Sequence, residues 1–398
     1  MEVQLQIKMN EKLFLRDPEQ TELGKKIIRH SIQLIYKNGF ELFTFKKLAE
    51  DKGAEYAFEI LRRAPLPPQT DLHLLGHAVG DTLYKQQGVA GIALCTPEFR
   101  NACSHTIAVG AMTEFGPDKA LAMIHDACKK APGGPGAYTM CYHGLGHGVF
   151  AYYNFTFPKT VEYCKRTGTP EYFNREYIEC VGGSIMELMG GGGHDKVAWE
   201  KSRKLYLSAS RPLAPCMDSV IPVEARSICL MYLTPRLFEL AGLDLGNPDP
   251  AHFGKAMNYC EAIPKSEISL RKDCYGGFGK EFVPLVTARD IRSINKIDEK
   301  SFATLAEWCG SGKTTEAISA CVSSELDSLF WGGENDPRIS IRFCASLPSG
   351  VSRDACYSEL ATTISTYTNG DAQKTLCVSV PADKQAQCLA SHPPRSQS

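Results

Sequence analysis

The sequence predicts an all-α protein in which disulfide-stapled helical hairpins repeat to form an α-solenoid or an α/α toroid. Three observations predict it. Sixteen cysteines fall into neighbouring pairs along the chain. The second members of the pairs recur at intervals from 32 residues (Cys356 to Cys388) to 49 (Cys180 to Cys229), the period of a two-helix unit. The stretch before the first member of a pair has the apolar periodicity of an amphipathic helix, as in DKALAMIHDAC ending at Cys128 and SFATLAEWC ending at Cys309.

Residues 1–68 read as an N-terminal helical cap. They contain no cysteine, KKIIRHSIQLIYKNGFELF and YAFEILRRA are amphipathic, and PLPP at 65–68 breaks the chain. Residues 69–390 form the Cys-rich helical-repeat domain. Neighbour pairing there joins 95/103, 128/141, 164/180, 216/229, 260/274, 309/321, 344/356 and 377/388. Pro264, Pro348 and Pro381 each stand four residues after a first cysteine. Proline lacks the N–H that a helix interior needs but suits a first turn, so each is expected to open the second helix. The unit reads helix A, cysteine, turn, cysteine, helix B. A bridge across so short a loop contributes roughly 3 kcal/mol by restricting the unfolded chain. Sixteen reduced, buried thiols are the alternative. Leu243 to Pro250 and Val283 to Lys300 read as longer connections, and residues 391–398 as a disordered tail.

Composition narrows the function. The net charge of −1 leaves no basic field for nucleic acid or anionic lipid. No apolar run reaches the roughly 18 residues of a membrane span. No Cys-x2-Cys pair occurs, so zinc fingers and most iron–sulfur frameworks lack their spacing. Cysteine usage therefore points to an extracytoplasmic protein, secreted or periplasmic. Met1 to Arg16 has no signal-peptide core: either the export signal is missing from this chain or the protein is not exported by that route.

The starts of the B helices align as DLHLLGHAVG (71–80), CSHTIAVG (103–110), CYHGLGHG (141–148), CVGGSIMELMGG (180–191) and CYGGFGKEF (274–282). In this register His73, His105 and His143 share one position, and His77 and His147 share another one turn further on. Stacked helices would bring five imidazoles to one surface, with Glu187 as an extra carboxylate ligand or general base and His125 or His194 completing the shell. Copper, iron and zinc all accept imidazole nitrogen. The candidate metal ligands are thus His73, His77, His105, His143, His147 and Glu187. The expected function is a metalloprotein carrying copper or iron redox chemistry or a zinc-activated water, acting on a small molecule or peptide. The alternative is a non-catalytic scaffold for peptide or glycan, with structural histidines and exposed aromatics such as Tyr152 and Tyr153. The glycines of HGLGHG, VGG and YGGFG fit close helix approach.

Other signals are set aside. CGSGKTTEA (309–317) resembles a phosphate-binding loop, but Glu307 replaces the required glycine and a helix precedes it. No nucleophile-elbow pattern supports a hydrolytic triad.

CYHGLGHGVFAYYNFTFPKTVEYC (141–164) and the CVGGSIMEL unit after it resemble a poorly characterised group of bacterial and archaeal proteins with repeated Cys-Tyr-His-Gly and His-Gly-x-Gly-His blocks. The resemblance covers about residues 70–290; it implies the repeat architecture and no particular reaction. Cys-x-Gly-Gly at 180–183 and 274–277 departs from that pattern. The Cys-Tyr-His-Gly block is also similar to helical toroids of the lanthionine-cyclase type. That likeness implies glycine-rich turns on the inner helices and a zinc held by cysteine and histidine.

Overall fold

The computed structural model describes residues 21–38, 50, 52–63, 72–96, 99–132, 134–190, 195–243, 248–331 and 334–390. Among them every regular element is helical, with no strand. The helices are α1 (Glu22–Asn38), α2 (Ala54–Arg63), α3 (Leu72–Gln87), α4 (Ala102–Cys128), α5 (Gly134–Tyr152), α6 (Phe157–Lys165), α7 (Arg175–Gly190), α8 (Lys196–Tyr206), α9 (Arg226–Tyr232) and α10 (Thr234–Ala241). They continue with α11 (Pro250–Met257), α12 (Ile268–Val286), α13 (Glu299–Cys309), α14 (Thr315–Phe330), α15 (Pro337–Ser346), α16 (Val351–Tyr367), α17 (Gly370–Cys377) and α18 (Ala382–Leu389). None is long and apolar enough to cross a membrane.

Local chemistry sets many of the starts. Asp195, Asp249, Asp298, Thr314 and Asp336 each accept a first-turn backbone N–H with the side chain, capping α8, α11, α13, α14 and α15. Such a cap stabilises a helix by about 1 kcal/mol. Gly116 takes φ 74° inside α4, so α4 is two helices in series, the B helix of one hairpin and the A helix of the next. The prolines act slightly earlier than expected. Pro381 is the N-cap of α18, while Pro264 and Pro348 lie in the turns ahead of α12 and α16. The expected connection at Val283 to Lys300 is partly helical, because α12 runs to Val286 and a 3₁₀ turn spans Ile291–Lys296. Residues 244–247 of the other connection and the 391–398 tail lie outside the described residues, as do 1–20, 39–49 and 64–71 of the N-terminal segment.

All eight neighbour disulfides are formed, with Cα–Cα distances of 5.4 to 5.8 Å and sequence separations of 8 to 16. No cysteine is free. Each bridge ties a B helix to the segment before it, at the first turn of α4 (Cys103), further inside α5 (Cys141) and α12 (Cys274), and beside the end of α18 (Cys388). The B helices then pack in one row: α3 on α4, α5, α7, α9, α12, α14, α16 and α18, each against the next. Late members of the row also meet early ones. α16 touches α5. Arg175 of α7 donates to the Tyr367 hydroxyl at 2.8 Å, and the Arg100 guanidinium lies 4.2 Å over the Trp331 ring. The apolar core has two parts. One joins Phe58 and Leu61 of α2 to α3, α4 and α5; the other runs from Phe150 to Cys388. Between α5, α7, α9, α12, α14 and α16 lies a cavity of about 1020 Å³.

Candidate metal centre

The cluster forms where α3, α4 and α5 cross. Glycine makes the crossing close: a Cβ on Gly144 would lie 2.4 Å from the His105 Cα, and one on Gly80 2.8 Å from the Cys103 carbonyl oxygen. Backbones this near bring imidazoles on successive helices into contact. His105 sits in the middle. Its ring centroid is 5.3 Å from His73, 5.9 Å from His77, 5.4 Å from His143 and 5.7 Å from His147. The sequence register therefore does bring all five imidazoles together.

They do not all meet at one point. Donor atoms of His73, His77 and His105 lie within 4.8 Å of one another. His143 and His147 stand beside this trio, their rings 5.2 Å apart. Glu187 holds the Nδ1 of His147 at 2.9 Å, which makes it a support for that histidine. His125 pairs with the Tyr142 hydroxyl at 2.6 Å, and His194 lies outside the described residues.

The far ring nitrogens are tied down. His73 Nδ1 lies 2.7 Å from the Phe99 carbonyl, which can only accept, so Nδ1 carries the hydrogen and Nε2 faces the cluster. His77 Nδ1 meets the Thr106 hydroxyl at 2.6 Å. Its Nε2 is 3.1 Å from that of His73. Two nitrogens on one tetrahedral ion, each at about 2.0–2.1 Å, lie about 3.3 Å apart. Ligand histidines characteristically donate their second N–H to a carbonyl, hydroxyl or carboxylate, and such partners fix the tautomer. The Phe99 carbonyl is presented by a turn in which Phe99, Arg100 and Asn101 take φ of 56°, 57° and 60°. Left-handed backbone is costly for L-residues and collects at functional sites.

His105 differs from its neighbours. It is 1% exposed, and neither ring nitrogen has a hydrogen-bond partner. A buried polar group left unsatisfied costs about 1–3 kcal/mol. Burial, reinforced by the four surrounding imidazoles, holds its proton affinity well below the ordinary imidazole range. Burial also lowers His143, opposed by Glu179. Both are therefore neutral near pH 7, the form that binds metal.

The cavity adjoins the cluster without being lined by it. Glu179 and Tyr232 form the shared wall. Glu179 Oε2 is 3.4 Å from His143 Nδ1, and the Tyr232 ring is 5.0 Å from that of His143. Burial, helped by the Glu179 charge, pushes the Tyr232 hydroxyl well above its ordinary value. Tyr152 and Tyr153, the expected groove aromatics, do not line the cavity.

Sequence reasoning missed Thr106, the Phe99 carbonyl, Glu179 and Tyr232. The register of the B helices, which sets Met186 and Lys280 at the position of His147, also extends further than the sequence reading took it. The position six residues after the second cysteine carries His147 in α5, and then Met186, Lys280, Asp327 and Thr362 in α7, α12, α14 and α16. The last three line the cavity. Compared with known proteins, the chain matches no family model, no curated protein and no solved structure.

Proposed function

We propose that the protein binds a first-row transition metal (copper, iron or zinc) through His73, His77 and His105, and uses it on a small-molecule or peptide substrate held in the adjoining cavity. The observation that carries the reading is His105, fully buried among four imidazoles with both ring nitrogens unsatisfied. A bound ion would take one of those nitrogens and remove its desolvation cost. The Phe99 and Thr106 contacts support the same reading. The eight buried disulfides support an oxidising, extracytoplasmic location, secreted or periplasmic.

One observation favours a non-catalytic scaffold. Thr106 can donate to His77 Nδ1, His77 Nε2 to His73 Nε2, and His73 Nδ1 to the Phe99 carbonyl, a chain complete without an ion. In the metal-bound form Thr106 instead turns its hydrogen to the Ala102 carbonyl, 3.2 Å away.

Elemental mass spectrometry on untagged protein decides between them. Wild type should carry stoichiometric metal that His105→Ala loses while retaining its circular dichroism spectrum. A wild type that stays metal-free after incubation with zinc, copper and iron would sink the metalloprotein reading and leave the scaffold.

A further inference from the structure

His143 and His147 are left outside the compact trio, and each is arranged as a ligand. We infer that they form, with Met186, a second metal position that takes a soft monovalent ion, copper(I). This rests on the cluster being a metal centre, as proposed above.

His143 Nε2 lies 3.4 Å from the Met186 Sδ. On the opposite side of the ring, the Glu179 carboxylate lies 3.4 Å from Nδ1. A carboxylate so near favours the hydrogen on Nδ1. Nε2 then turns its lone pair toward a thioether, which has only lone pairs to offer. With the hydrogen on Nδ1, two electron-pair donors face each other across 3.4 Å, an arrangement that a shared cation satisfies; with it on Nε2 the same contact is an N–H···S hydrogen bond.

His147 supplies the third donor. Glu187 accepts from its Nδ1 at 2.9 Å, leaving the Nε2 lone pair. That Nε2 is buried and has no partner. The carboxylate–histidine contact is the usual outer support of a metal-bound imidazole. The donors ride on α5 and α7, whose spacing is fixed by Gly146 and Gly183. A Cβ on Gly183 would come 1.9 Å from the His143 carbonyl oxygen, so neither helix can slide apart or closer without losing the contact. Met186 is the partly exposed member of the set and gives an ion its way in.

The donor set names the ion. Thioether sulfur is soft and selects copper(I), whereas three imidazoles accept copper, zinc or iron alike. The two positions therefore differ in kind, with a nitrogen-only site at His73, His77 and His105 and a nitrogen–sulfur site at His143, His147 and Met186.

The test uses the full chain and copper(I) itself, with zinc as the contrasting probe. Wild type should bind two copper(I) ions per chain and show a copper–sulfur shell in X-ray absorption. Met186→Leu, which keeps the volume, should bind one and lose the sulfur shell, with zinc affinity at the first site unchanged. Met186→His should restore two ions without sulfur. One copper per chain in wild type, with no sulfur shell and no change in Met186→Leu, would overturn the second position while leaving the first intact. No copper and no zinc in wild type would overturn both.

Discussion

Gly183 stands directly against Gly146. A Cβ on Gly183 would lie 3.3 Å from the Gly146 Cα and 1.9 Å from the His143 carbonyl oxygen. The helix that carries the HGLGH sequence and the helix that carries Glu179, Met186 and Glu187 thus touch backbone to backbone. Gly183→Ala must therefore push α7 off α5. The expected cost is about 3 kcal/mol, at the upper end for overpacking, read as a lower denaturant midpoint. Gly190→Ala is the control: its Cβ would meet nothing within 4 Å, and the change should be neutral or raise stability by up to about 1 kcal/mol. Equal effects of the two substitutions would contradict the close crossing.

Thr106 holds the outer nitrogen of His77. Thr106→Val keeps the shape and deletes the hydroxyl. Metal affinity measured by chelator competition should fall 10–100-fold, the usual size of such outer-support losses, with thermal stability little changed. Wild-type affinity in the variant would show that the hydroxyl plays no part in holding the ion.

Glu325 is fully buried, and neither carboxylate oxygen has a hydrogen-bond partner. Burial pushes its proton affinity well above the ordinary carboxylate range. The folded state then holds a proton that the unfolded state releases above its ordinary value. Stability is fully present below that value and falls as pH rises toward the raised one, by at most about 1.4 kcal/mol per pH unit. Glu325→Gln should flatten the stability profile between about pH 5 and 8 and be the more stable form at the upper end. Parallel profiles for the two proteins would refute a neutral Glu325.

Removing one bridge, as in Cys164→Ala with Cys180→Ala, should cost about 3 kcal/mol and leave the other seven pairs intact on non-reducing peptide mapping. Scrambled pairs in the wild-type map would contradict the local pairing.

The cysteine pairs were legible because each closes a short loop and marks the same point in every hairpin. The histidine register was legible for a related reason. Residues four apart share a helix face, so His143 and His147 had to point together, and the common offset from Cys103 and Cys141 put His105 beside them. The division of the five imidazoles was not legible. It depends on how far α4 and α5 rotate as they cross, which periodicity does not encode. Met186 was aligned with His147 in sequence, yet its contact is with His143. The approach of α16 to α5 joins helices about 200 positions apart in the chain, and no local pattern announces it. Glu325 reads as an ordinary polar helix residue until its neighbours are in place.

Every disulfide lies within one hairpin. The covalent skeleton is therefore a string of small knots with open thread between them. A protease that cuts the thread, for example at the exposed residues before Arg211, produces two polypeptides with no bond between them. Non-covalent packing, such as that of α7 against α9 and the contacts of Arg175 with Tyr367 and Arg100 with Trp331, would then keep the halves in register. A nicked molecule should migrate as one particle in a native gel and as two fragments in detergent, even without a reductant.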